Sequence, residues 1–253
     1  MQEKLKAFER LLTIMDELRE KCPWDRKQTF QTLRNLTIEE TYELAEVLLD
    51  EDLEGIKEEL GDIMLHMVFY AKIGEEKQAF DVADVLNTVC DKLVERHPHI
   101  YGDVKVNDEE DVKKNWEQIK LASGKKSVLQ GVPKGLPALV KSYRIQEKTH
   151  QVGFAWEEAD SVWEKVQEEI EEFKEKMDAD APIEEKEDEF GDVLFALVNY
   201  ARYNGIEAES ALERTNRKFK RRFEYIEAHA NKPIDEMSLT EMDDLWNECK
   251  RLE

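Results

Sequence analysis

Glu168-Glu169-Ile170-Glu171-Glu172 is answered seventeen residues later by Glu189-Phe190-Gly191-Asp192. Residues three or four apart share one face of a helix. Glu169 and Glu172 therefore point the same way, as do Glu189 and Asp192. Two adjacent helices carrying these pairs would close four carboxylates around one small volume, a cluster that repels itself unless cations enter it. An upstream copy reads Glu39-Glu40-Thr41-Tyr42-Glu43, then Glu59-Leu60-Gly61-Asp62. Glu40 and Glu169 lie 129 residues apart, and Asp62 and Asp192 lie 130 apart. A duplicated helical module is the simplest account.

The helices around these motifs follow from apolar spacing. Glu3–Lys21 carries Leu5, Phe8, Leu11, Leu12, Met15 and Leu18 on one stripe, and Cys22-Pro23-Trp24-Asp25 ends it. Thr37, with Glu40 three positions on, has the form of a capping box and predicts a helix from there to about Asp50. Leu53–Ile73 holds Glu59 and Asp62 and turns strongly apolar from Ile63 to Tyr70, and Val82–Arg96 stops before Pro98. Pro and Gly then punctuate the chain from His97 to Pro137, with one helical piece near Asp111–Leu121. The pattern restarts with Ala138–Gln151, Asp160–Met177, Ile183–Tyr203 and Glu207–His229, and a final helix, Leu239–Leu252, belongs to this half alone. The expected fold is all-α: a four-helix-bundle module over 1–105, a connection over 106–135 and a second bundle over 136–253.

Composition narrows the function. With 59 acidic against 37 basic residues the formal charge is −22, which argues against nucleic acid as a partner. An anionic substrate would need metal ions or a local basic patch to offset that field. No apolar run reaches the roughly 20 residues that span a bilayer, and no apolar signal core follows Met1, so a cytoplasmic protein away from membranes is expected. Cys22, Cys90 and Cys249 fit neither a disulfide framework nor a zinc pattern and read as reduced thiols.

An acidic helix face is ordinarily just solvated. Here the carboxylates recur at matched spacing, lead into apolar helix, and enclose Gly61 and Gly191, residues unfavourable in mid-helix by about 1 kcal/mol against Ala. Those glycines suggest the close approach of another helix or a ligand. All-oxygen ligation suits Mg²⁺, with Mn²⁺ a possible substitute. A di-iron bundle would require Glu-x-x-His on two helices, and the chain offers only Glu147/His150, outside both clusters. Mg²⁺ is usually completed by substrate phosphates, which points to a nucleotide polyphosphate. Cations follow the second acidic pair: Lys218, Arg221 and Arg222 share a face close to Asn216. Trp246 and Lys250, one turn apart, offer a stacking ring or core packing and a further cation.

The acidic spacing resembles the signature of MazG-type nucleoside triphosphate pyrophosphohydrolases, and the likeness extends over essentially the whole chain in the family's two-module bacterial form. Cys22-Pro23-Trp24-Asp25, His97-Pro98-His99, Val152-Gly153-Phe154 with Trp156, Lys218-Phe219 with Arg221-Arg222-Phe223, and Trp246 with Lys250 carry it. The resemblance implies a homodimeric all-α enzyme that hydrolyses nucleoside triphosphates to monophosphate and pyrophosphate with Mg²⁺, as nucleotide-pool house-cleaning. It implies Glu169, Glu172, Glu189 and Asp192 as metal ligands, with Glu40, Glu43, Glu59 and Asp62 a second, weaker set. Lys165, Glu168, Lys218, Arg221, Arg222, Trp246 and Lys250 become nucleotide contacts, and Glu168 the candidate to take a proton from water, beside Glu169 and Glu172 as catalytic carboxylates.

The halves are not equivalent. Aligning Lys92 with Lys218 puts Cys90 opposite Asn216 and Glu95 opposite Arg221, leaving only Arg96 to match Arg222. The second module is therefore expected to work and the first to be weaker or structural. Two alternatives are a related enzyme preferring dUTP or dCTP, and a helical adaptor whose acids bind partner or metal. The cations behind the acids argue against the adaptor.

Overall fold

The computed structural model describes residues 1–106, 108, 111–112, 115–116, 119, 127–154 and 159–253. The described residues contain helices and turns but no strand. They divide into two compact units, Met1–Trp116 and Glu117–Glu253. The edge of the Trp116 ring meets His97 at 5.2 Å, so the first unit extends past the boundary its Pro and Gly residues suggest. Much of the helical piece expected near Asp111–Leu121 lies outside the described residues, as does Trp156.

In the first unit α1 (Gln2–Lys21) leads through a 3-10 turn (Asp25–Lys27) to α2 (Phe30–Leu49), α3 (Leu53–Glu76), α4 (Val82–Arg96) and a one-turn α5 (Pro98–Tyr101). α3 is central and packs against α2, α1 and α4. Its core joins Met15 of α1, Leu33 of α2, and Val68, Phe69 and Ile73 of α3. Each such side chain contributes about 1.5–3 kcal/mol by leaving water.

Thr37 does not cap α2. The helix begins two turns earlier, where Thr29 and Thr32 form a reciprocal capping box. Phe30 and Leu33 continue the apolar stripe upstream and bury against the core, so helix is favoured there too. Inside the helix the Thr37 hydroxyl donates to the Leu33 carbonyl at 3.0 Å and lies 2.6 Å from the Tyr70 hydroxyl, tying α2 to α3.

The second unit comprises α6 (Ala138–His150), α7 (Ala159–Asp178), α8 (Ile183–Tyr203), α9 (Ala208–His229) and α10 (Leu239–Leu252). α7 lies along α8 as α2 lies along α3; α6 packs on α8 and α9, and α10 on α9. Val162, Val166, Val193, Ala196, Val198 and Ile226 are buried in this unit. Both units leave the same apolar stripe on their third helix uncovered: Leu60, Met64 and Met67 on α3, and Phe190, Leu194 and Leu197 on α8. None of the described helices is long and apolar enough to cross a membrane. All three cysteines are unpaired.

Candidate functional site

The pairing of α7 with α8 brings carboxylate oxygens of Glu169, Glu172 and Glu189 within 4.8 Å of one another. Glu169 is buried, Glu189 half-buried and Glu172 exposed, so the cluster opens from the helix seam towards solvent. Asp192, one turn after Glu189, lies outside this triad and lines the cavity beside it. The first unit repeats the arrangement with Glu40, Glu43 and Glu59, again without its aspartate, Asp62.

Gly61 and Gly191 do not admit another helix. A Cβ built on either meets no atom within 4 Å, because both glycines face open space. The packing reason inferred for them therefore fails.

The two triads differ in their internal counter-ion. Lys165 Nζ lies 2.9 Å from carboxylates of both Glu168 and Glu169, at i+3 and i+4 along α7. Those hydrogen bonds, Glu168 first, raise the Lys165 pKa and keep it charged. Loss of hydration, then the Glu169 charge, pushes the Glu172 carboxyl up from its ordinary value. Leu36 stands where Lys165 would fall in the first unit. There burial first, then the charges of Asp62, Glu43 and Glu59, raises Glu40; burial and Glu43 raise Glu59. Glu59 Oε2 is buried without a hydrogen-bond partner. Crowded carboxylates with an unpartnered oxygen and raised proton affinity suit a hard divalent cation, which would replace the protons and balance the charge.

A cavity of about 250 Å³ adjoins the second triad, with Lys165, Glu169 and Asp192 in its wall. Its apolar part comes from α6, α7 and α8, including Ile145, Val162, Phe195 and Ala196. Three polar residues in it were not foreseen: Gln146, Asn199 and Arg202. Asn199 did carry a signal, as a lone amide in the apolar run Val193–Tyr200. Gln146 carried none, since its neighbours across the cavity come from a helix some fifty residues away.

The cations of α9 form a separate group. Arg221 and Arg222 are engaged by Glu253, at 2.5 and 2.6 Å, and the Arg222 guanidinium lies 5.2 Å above the Trp246 ring. Trp246 also packs against Phe219 at 5.2 Å and is half-buried. Asn216 donates to Glu213 at 3.3 Å, while Lys218 and Lys250 are exposed. Among the described residues no ion pair or ring contact joins this group to the acidic triad.

Comparison with known proteins places this geometry. The model of the MazG nucleotide pyrophosphohydrolase domain matches the chain twice, over residues 28–101 and 157–226, once around each triad. A nucleoside triphosphate pyrophosphohydrolase of Escherichia coli (strain K12) is 39% identical over 260 residues, covering 98% of this chain and 99% of that protein. The nucleoside triphosphate pyrophosphohydrolase/pyrophosphatase MazG of Thermotoga maritima is 41% identical over 258 residues, covering 99% of this chain and 98% of that protein. An uncharacterized Bacillus subtilis protein, YabN, is 48% identical over 255 residues, with 97% of this chain aligned to 52% of its length.

Proposed function

This chain belongs to the MazG nucleotide pyrophosphohydrolase family, and we propose that its second module binds and cuts a Mg²⁺-loaded nucleoside triphosphate. The reaction is hydrolysis of a nucleoside triphosphate to monophosphate and pyrophosphate. The observation that carries the choice of module is the contrast at Lys165: a carboxylate triad with its own cation opens on a cavity in the second unit.

Glu169, Glu172 and Glu189 would hold the metal, with Asp192 at the cavity side. Bound Mg²⁺ (or Mn²⁺) would neutralise the triphosphate, acidify a water and stabilise charge on the leaving pyrophosphate. Lys165 orients Glu168 by their 2.9 Å contact, and the Glu168 carboxylate is suited to take the proton of the attacking water. Lys218, Arg221, Arg222 and Lys250 are the phosphate contacts, with Asn216 on the same helix as the first three. Trp246 fixes Arg222 from beneath. For Arg221 and Arg222 to reach phosphate, Glu253 must yield.

In the first unit the equivalent space is filled. By the 130-residue offset His66 stands for Ala196 and Phe69 for Asn199, and both are buried. That unit keeps the acids but leaves no room for a nucleoside, which supports a structural or weakly active role. The exposed stripes on α3 and α8, together with the resemblance, support a homodimer. A cytoplasmic place in nucleotide-pool house-cleaning follows from the reaction class.

The test is incubation with each nucleoside triphosphate, with and without Mg²⁺, separating pyrophosphate from orthophosphate. Mg²⁺-dependent monophosphate and pyrophosphate in equal amounts are expected. Release of orthophosphate alone, or turnover indifferent to Mg²⁺, would sink the proposal.

A further inference from the structure

The cavity beside the second triad has a polar wall that neither the acids nor the cations explain. Gln146 is 5% exposed. Its Nε2 donates to Ser142 Oγ at 3.1 Å and to the Phe195 carbonyl at 2.8 Å, so both amide hydrogens are used. Its Oε1 is buried and accepts nothing. A buried acceptor left without a donor costs about 1–3 kcal/mol, which a structure seldom carries without use.

Asn199 complements it. Its Oδ1 accepts from Arg202 Nη2 at 3.1 Å, which leaves its amide hydrogens as the donors on this wall. Arg202 stacks its guanidinium 4.6 Å over Tyr203, and its Nε is also buried without a partner. An acceptor and a donor, each fixed by a neighbour, thus line a cavity otherwise walled by Ile145, Val162 and Phe195. At about 250 Å³ it is smaller than the roughly 300–1,000 Å³ of pockets for drug-sized ligands, so it admits one planar ring system rather than a whole nucleotide.

We infer that this cavity is the nucleobase subsite, and that Gln146 Oε1 selects a base by accepting an N–H from its hydrogen-bonding edge while Asn199 donates to an adjacent acceptor. The inference rests on the pyrophosphohydrolase reading of the triad and adds where the base goes and what reads it. Glu169 and Asp192 belong to both the metal cluster and the cavity wall, so a base in the cavity places its phosphates beside the carboxylates. A site that satisfies a buried polar group only with the right partner discriminates strongly against an analogue lacking that partner.

The test deletes the hydrogen from the substrate as well as the acceptor from the protein. The full chain with Mg²⁺ is assayed on ATP against purine riboside triphosphate, CTP against its 2-pyrimidinone analogue, GTP against N1-methyl-GTP, and UTP against N3-methyl-UTP. The pair containing the best substrate should differ by about 10- to 100-fold in kcat/KM. Gln146→Leu should bring that pair to within about threefold of each other, chiefly by lowering the rate on the natural base. Asn199→Leu, which leaves the Gln146 anchor to Phe195 in place, should lower kcat/KM for the natural base by a similar factor if the Gln146 variant does not fold. Robust turnover of natural triphosphates with no discrimination in any pair would overturn the inference while leaving the reaction assignment intact. Absence of pyrophosphate from every triphosphate would remove both.

Discussion

Phe69 and Asn199 hold matching positions, 130 residues apart on α3 and α8, and are 2% and 7% exposed. One is packed into a hydrophobic core and the other lines a cavity. Two copies of one module have thus used the same buried point for opposite purposes. The aromatic ring fills volume and stabilises its unit; the amide leaves volume open and supplies hydrogen bonds to whatever enters.

Activity should follow that division. Glu172→Ala or Glu189→Ala is expected to lower kcat/KM by about 100-fold or more, roughly 3 kcal/mol of transition-state stabilisation. Glu43→Ala should leave it within about twofold. Steady-state pyrophosphate release on the three variants checks this, and the opposite ranking would make the first module the working one.

Stability should divide the other way. Leu33 is fully buried in the first core, and Leu33→Ala should destabilise that unit by about 2–5 kcal/mol. Urea unfolding followed by circular dichroism would show an early transition, while KM at low urea stays unchanged.

Lys165 is the counter-ion that the second triad carries in itself. Lys165→Met leaves the crowded carboxylates unbalanced, so thermal stability in EDTA should fall by a few degrees, on the order of 1 kcal/mol for this partly exposed pair. Added Mg²⁺ should recover most of that loss. A variant with unchanged Tm in EDTA would show that the ion pairs contribute nothing measurable.

Glu253 gives the contact of α10 with α9 a pH dependence. The Arg222 guanidinium, then Arg221, holds its carboxyl down to about 2, from an ordinary value of 4.5. A depressed folded value stabilises above the ordinary one, and the gain is lost as pH falls from about 4.5 towards about 2. Trp246 fluorescence should report α10 loosening in that window, and Glu253→Gln should flatten the response. The same variant frees both arginines and should lower KM for triphosphate; a raised KM would show that Glu253 organises the site instead of competing for it.

The uncovered stripes make the final prediction. Leu194→Glu, or Met64→Glu, puts a charge in the middle of an exposed apolar row and should shift the protein from dimer to monomer in sedimentation velocity. If both variants sediment like the parent chain, those faces are not the interface.

Amphipathic periodicity, the acidic pairs and the duplication are local or repetitive properties, so the chain alone determined two helical modules and the residues of each triad. The start of α2 was misplaced because Thr37 with Glu40 satisfies the capping rule as well as Thr29 with Thr32 does. Only packing distinguishes them, through Phe30 and Leu33 in the core and the contact of Thr37 with Tyr70. Tertiary structure likewise decided that three carboxylates converge while Asp192 turns to the cavity, and that Glu253 holds Arg221 and Arg222. It also set Gln146 of α6 against the backbone of Phe195 in α8. These relations join side chains from separate helices. Their distances follow from how the helices pack, which no spacing along a single helix encodes.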